Sequence, residues 1–158
     1  MPQNIQHQTH TEIWKPHTTV AAIIERDNRF LMVEEICSGK VVYNQPAGHL
    51  DPDESLLEAA IRETREETAW EFRPEYISGI YRWQQPHTER SYLRVAFAGS
   101  CYNHQQTQPL DEGIIKAVWL SREALAAEPE KLRSPMVLLC IDDYLKGKQY
   151  PLELLTDV

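Results

Sequence analysis

Between Asp51 and Glu67 the chain carries seven carboxylates (Asp51, Asp53, Glu54, Glu58, Glu63, Glu66 and Glu67) against two arginines, Arg62 and Arg65. The same stretch reads as a helix over residues 55–68. Ser55 followed by Glu58 is a capping-box signature, and Leu57, Ala60, Ile61, Thr64 and Thr68 then recur at the helical period, forming one docking face. Glu63, Glu66 and Glu67 stand at i, i+3 and i+4 and are neighbours on another face, roughly 120° away. Such a helix must dock by one side and present three carboxylates by another. Like charges at this spacing destabilise a bare helix by a few tenths of a kcal/mol per pair. A divalent cation reverses that sign, because hard Mg²⁺ takes carboxylate and phosphate oxygens. The competing reading is a solvated acidic face supported by Glu58 and Arg62. An EF-hand loop starting at Asp51 is excluded: its sixth position is Leu56 rather than Gly, and its twelfth is Arg62 rather than Glu.

The rest of the chain supplies strands for this helix to dock on. Residues 18–24 are apolar and β-branched, and residues 30–33 continue the signal after a polar break, giving a hairpin. Further strands are expected at 41–43, 76–83, 92–100 and 115–120, with helices at 121–127 and 134–146. Pro46 and Gly48 break regularity between them. Strands around one early and one late helix predict an α/β fold, an α/β/α sandwich with a mixed sheet. The 158 residues suit one domain over 14–158, preceded by a polar, flexible arm over 1–13. His7 and His10 lie in that arm, as metal ligands or as solvated side chains.

Sixteen basic against 24 acidic residues leave a net charge of −8. That disfavours binding to nucleic acid polymers or an anionic bilayer. No window reaches the roughly 18 apolar residues of a membrane span, and the N-terminus lacks the pattern of a secretory signal. Cys37, Cys101 and Cys140 are odd in number and scattered, which suits reduced thiols in a cytoplasmic protein.

Gly48, Glu54 and the run Arg62-Glu63-Thr64-Arg65-Glu66-Glu67 stand at the offsets of G-x5-E-x7-R-E-U-x-E-E-x-G-U, where U is aliphatic. The stretch resembles the Nudix box. Thr64 and Trp70 replace the two aliphatic positions, and Ala69 stands where the box has Gly. A left-handed Ala69 would cost roughly 1 kcal/mol. The resemblance implies a Nudix hydrolase fold and Mg²⁺-dependent cleavage of phosphoanhydrides, with Mn²⁺ able to substitute. Glu63, Glu66 and Glu67 are then the metal ligands, with the Gly48 carbonyl as a further one. Arg62 orients a glutamate, and Glu54 belongs to the supporting acidic set. Glu66 is the candidate general base, with Glu34 and Glu35 as alternatives.

Shorter strings, among them Trp14-Lys15-Pro16-His17, Tyr92-Leu93-Arg94 and Arg133-Ser134-Pro135, resemble the bacterial NudJ-type phosphatases. That branch implies nucleoside di- and triphosphates or thiamine (pyrimidine) pyrophosphates as substrates, with release of phosphate. Arg94, on an apolar strand, needs an anion, either a substrate phosphate or a glutamate of the chain itself. Trp83 and Tyr92 stack a substrate ring or pack in the core. Arg133 reaches a phosphate or caps local carbonyls. Two other classes remain open from sequence: a nucleotide-binding sensor module without turnover, and an isomerase using Cys37 beside Glu34 or Glu35. The expected partner is a small phosphoanhydride, and the chain a monomer or small homo-oligomer.

Overall fold

Residues 13–158 are described by a computed structural model; the expected arm, with His7 and His10, lies outside the described residues except for the exposed Ile13. In chain order the elements are β1 (His17–Arg26), β2 (Arg29–Cys37), β3 (Lys40–Asn44), β4 (Ala47–His49), α1 (Leu56–Thr68), β5 (Glu71–Gln84), β6 (Ser91–Tyr102), β7 (Ile114–Leu120), α2 (Arg122–Ala127) and α3 (Met136–Leu145). The sheet runs β3-β2-β1-β6-β5, with β4 beside β1 and β7 beside β2. Strands β1 and β6 pair in parallel, and the other pairs are antiparallel. This is the mixed sheet the sequence predicts.

Strand β1 sits centrally and is buried from Thr19 to Ile24, as its continuous apolar run requires. Alternate residues feed two cores. Val20, Ala22, Ile24, Val95 and Phe97 pack against Ala59 and Ala60 of α1 on one face. Ile23, Ala96 and Ala98 pack against Val137, Cys140 and Ile141 of α3 on the other. Helices therefore cover both faces, making an α/β/α sandwich.

Strand β2 runs on to Cys37 and β5 starts at Glu71, both longer than the sequence reading, and two further departures have a local cause. The irregular stretch at Pro46 and Gly48 contains β4, which pairs with Thr19–Ala21 of β1 while β2 pairs with Glu25 and Arg26 further along the same edge. One edge of β1 is thus shared by two strands, and the sheet splits between them. Helix α3 begins at Met136 rather than Ser134, because Pro135 takes the cap position and Ser134 Oγ accepts from the Met136 N–H at 3.2 Å.

On the α3 face Asp143 is buried and accepts from the Tyr81 hydroxyl at 3.1 Å, with Lys148 Nζ at 3.0 Å. Burial opposes its charge, but Lys148, Tyr81 and Lys146 outweigh it and hold the carboxyl below its usual range. Asp143→Ala is expected to cost about 1–3 kcal/mol in urea unfolding, because the Tyr81 hydroxyl loses its acceptor. A depressed folded pKa gives stability that is present above the unfolded value of 3.8 and lost as pH falls through the folded one. The gap between wild type and variant should therefore close on acidification below that value.

Candidate active site

Helix α1 is held at both ends by local chemistry. Ser55 Oγ accepts from the Glu58 N–H at 3.1 Å, and Glu58 Oε2 accepts from the Ser55 N–H at 2.8 Å. At the other end Ala69 is left-handed, with φ 58° and ψ 16°. Ala69→Gly is expected to raise the thermal midpoint slightly. Relief of a left-handed conformation, about 1–2 kcal/mol, exceeds the loss of one buried methyl, about 0.8 kcal/mol.

Of the carbonyls at the end of α1, Arg65 O accepts from the Ala69 N–H at 2.9 Å, and the segment entering β7 brings further donors to this helix end. Gln105 N–H donates to Ala69 O at 2.8 Å, Gln108 Nε2 to Arg65 O at 2.8 Å, and Asp111 N–H to Glu66 O at 3.0 Å. This docking carries the Asp111 carboxylate to the acidic face of α1. Glu63, Glu66 and Asp111 each bring one oxygen to within 4.8 Å of the others. Glu67 lines the same cleft outside this trio, its Oε2 accepting from the Ala47 N–H at 2.8 Å.

One guanidinium organises the carboxylates. Arg62 Nε and Nη2 donate to the two oxygens of Glu54 at 2.9 and 2.7 Å, a bidentate pair. Its Nη1 reaches Glu63 Oε1 at 2.8 Å and Glu66 Oε2 at 3.1 Å, and Nη2 also donates to His49 O at 3.0 Å. Hydrogen bonding to Glu54 heads the effects that raise the Arg62 pKa, and Arg62 in turn holds the Glu54 carboxyl below its usual range. Burial pushes Glu63 up, against the pull of Arg62. Glu67 is pushed up to about 9, mainly by burial, with Glu63, Glu35 and Asp111 adding like charge. The sequence reading puts Glu63, Glu66 and Glu67 together on one presented face of the helix. In the fold Glu63 and Glu67 are buried and Glu66 alone is partly exposed.

A divalent cation fits this donor set. The ligand atoms are all oxygens, the donors hard cations prefer, and they lie within 4.8 Å of one another. A single arginine faces several crowded carboxylates, so uncompensated negative charge remains. Gly48 abuts the trio from β4: an alanine Cβ there would overlap the Glu63 carboxylate.

The carboxylates form one end of a cleft of about 650 Å³, an ordinary size for a small-molecule site. Arg94, Arg133, Trp83 and Tyr92 all line it. The rings of Trp83 and Tyr92 stack at 5.7 Å, and His17 extends the stack at 5.3 Å from Tyr92. Both Trp83 and Tyr92 also pack on the α3-side core, so their two sequence roles are compatible. Of the alternative bases, Glu35 lines the cleft, whereas Glu34 pairs with Lys116 at 3.5 Å. Cys37, Cys101 and Cys140 are free thiols. The sequence reading does not point to Asp111, nor to Thr19 and Asn44, which also line the cleft.

Residues 15–138 match the NUDIX domain family. The chain belongs to the NUDIX family. It is a Nudix hydrolase, with phosphoanhydride hydrolysis as its reaction class. It is 41% identical over 145 residues to the phosphatase NudJ of Escherichia coli strain K12, covering 92% of this chain and 94% of that one. The phosphatase NudJ of Shigella flexneri is similar to the same degree. A NUDIX hydrolase structure from Nitrosomonas europaea is 44% identical and covers 91% of this chain and 98% of its own, with a TM-score of 0.89. A MutT NUDIX hydrolase structure from Burkholderia pseudomallei, at 15% identity and a TM-score of 0.70, shares the fold. No helix among the described residues is long and apolar enough to cross a membrane.

Proposed function

We propose that residues 14–158 form one Mg²⁺-dependent hydrolase domain, with Mn²⁺ able to substitute. It cleaves phosphoanhydrides of nucleoside di- and triphosphates or of thiamine (pyrimidine) pyrophosphates and releases phosphate. The carrying observation is the oxygen-only trio of Glu63, Glu66 and Asp111, its two glutamates held by Arg62, in a cleft with arginines and aromatic rings elsewhere on its walls. Likeness to the NudJ phosphatases supports the substrate classes. Three free thiols suit a cytoplasmic setting.

In this reading Glu63, Glu66 and Asp111 hold the cation, with Glu67 and the Gly48 carbonyl beside them. A bound divalent ion neutralises phosphate oxygens and lowers the pKa of water. Arg62 fixes the rotamers of Glu63 and Glu66 while its bidentate bond to Glu54 fixes Arg62 itself. Glu66, the most exposed box glutamate, takes a proton from the attacking water. Trp83 and Tyr92 offer a ring a stacking ledge, and Arg94 and Arg133 offer phosphates positive charge.

A panel of nucleotides and thiamine pyrophosphate, scored for orthophosphate and pyrophosphate, tests the proposal. Activity is expected with Mg²⁺ or Mn²⁺ and is expected to vanish in excess EDTA, returning on readdition of the ion. Undiminished turnover in EDTA would overturn the cation requirement. Tight binding of a nucleotide without any turnover would favour the sensor module instead.

A further inference from the structure

The wall of the cleft on the α3 side of the sheet is built around a buried charge. Arg94 is 5% exposed on β6, a strand flanked by β1 and β5. Its Nη1 donates to Gln45 Oε1 at 3.2 Å and its Nη2 to Asn44 Oδ1 at 3.5 Å. Gln45 is itself pinned, its Nε2 donating to Val137 O at 2.7 Å. Both acceptors are neutral amides, so they fix the plane of the guanidinium without cancelling its charge.

Among the charged neighbours Glu35 favours the cation from a distance and Arg133 opposes it, and neither forms an ion pair with it. The ion pairs among the described residues do not include Arg94, and its Nε has no hydrogen-bond partner. Cys140 lies beside it, but burial pushes that thiol up to about 11, so it stays neutral despite the pull of Arg94. Glu35 shares the wall but turns toward Arg133, 3.8 Å away, and leaves its own Oε1 without a hydrogen bond. A buried guanidinium without a counter-ion is costly, and arginine does not escape by losing its proton.

Other donors converge on the same wall. Thr19 stands next to Arg94 in register on β1, and its buried Oγ1 is also without a partner. Ser134, buried beside Arg133, leads into the first turn of α3, where the helix dipole is positive. Strand β4, whose Gly48 abuts Glu63, and strand β6, which carries Arg94, flank β1 on opposite sides. That puts about 10 Å between their backbones.

We propose that this wall is an oxyanion subsite that takes a tetrahedral phosphate group: a phosphate of the substrate away from the carboxylates, whose place free orthophosphate takes as a competitive inhibitor. The identity of the anion rests on the hydrolase reading above. The subsite does not require the cation. Substrates with at least two phosphate groups can span both ends of the cleft, whereas a phosphomonoester reaches one.

The test is titration of inorganic phosphate into the intact protein in excess EDTA, read by calorimetry and by the thermal midpoint. Wild type is expected to bind phosphate and melt higher with it. Arg94→Met should lose at least tenfold in phosphate affinity and lose the phosphate-dependent rise in midpoint. Without phosphate it should melt at or above wild type, because an uncompensated buried charge is gone. Arg94→Lys keeps a cation without the planar fork and should bind at least threefold more weakly, which preserves the test if the methionine variant fails to fold. Absence of phosphate binding by wild type in EDTA, or equal binding by wild type and the folded variants, would overturn the subsite. Phosphate binding that depends on Arg94, in a protein that hydrolyses no phosphoanhydride with Mg²⁺, would support the subsite and overturn only the hydrolase reading.

Discussion

Glu66→Gln and Glu67→Gln are expected to slow turnover a few hundredfold each, about 3–4 kcal/mol of barrier, without lowering the stability of the cation-free protein. Glu66 is 35% exposed at its side chain and accepts from Arg62 Nη1 at 3.1 Å. A glutamine keeps an oxygen for that bond while removing a charge that Glu63 and Asp111 repel. Glu67 is the sharper case. Burial pushes its carboxyl up to about 9, so the fold itself resists an ion there, yet a glutamine can still accept from the Ala47 N–H. The Glu67 variant should melt higher than wild type without cation and turn over far more slowly with it. Thermal midpoints in EDTA, set beside initial rates in saturating Mg²⁺, separate the two effects. A purely structural acidic face would produce the reverse pattern, with early melting and near-native rates.

How much of this was legible beforehand depended on whether the cause was local. Ser55, Glu58 and Ala69 obey rules of a single helix end, and α1 begins and ends where they place it. The box resemblance implies that Arg62 orients a glutamate without saying which, and only the fold shows its bonds to Glu54, Glu63 and Glu66. The identity of the third carboxylate in the trio was not local. Asp111 reaches the site because a distant segment fills the open carbonyls of α1, and the signal was the need for donors at that helix end together with the polar run around Gln105 and Gln108. Three-residue β4 was equally hidden, since its pairing with Thr19–Ala21 is tertiary. The neutral partners of Arg94 were hidden for the same reason. Sequence showed that an anion was needed, whereas only the fold shows Asn44 and Gln45 occupying the fork.

Gly48→Ala is expected to cut turnover at least a hundredfold, more than its single methyl suggests. Gly48 is not among the residues with positive φ, so the backbone accepts alanine there without strain. The conflict is with a side chain: the new Cβ would overlap the carboxylate of Glu63. That carboxylate is the end of a flexible chain, so it can swing aside and the fold should lose only about 1–3 kcal/mol, the usual range for overpacking. Its displacement breaks the bond from Arg62 Nη1 and removes one oxygen from the trio with Glu66 and Asp111, which is where the activity should go. A double-mutant cycle isolates the cause. In a Glu63→Ala background the added methyl has space, so Gly48→Ala should cost little further stability and little further rate. A single Gly48→Ala variant with near-native turnover would show that Glu63 can leave its place without consequence. The trio could then not be the seat of the reaction.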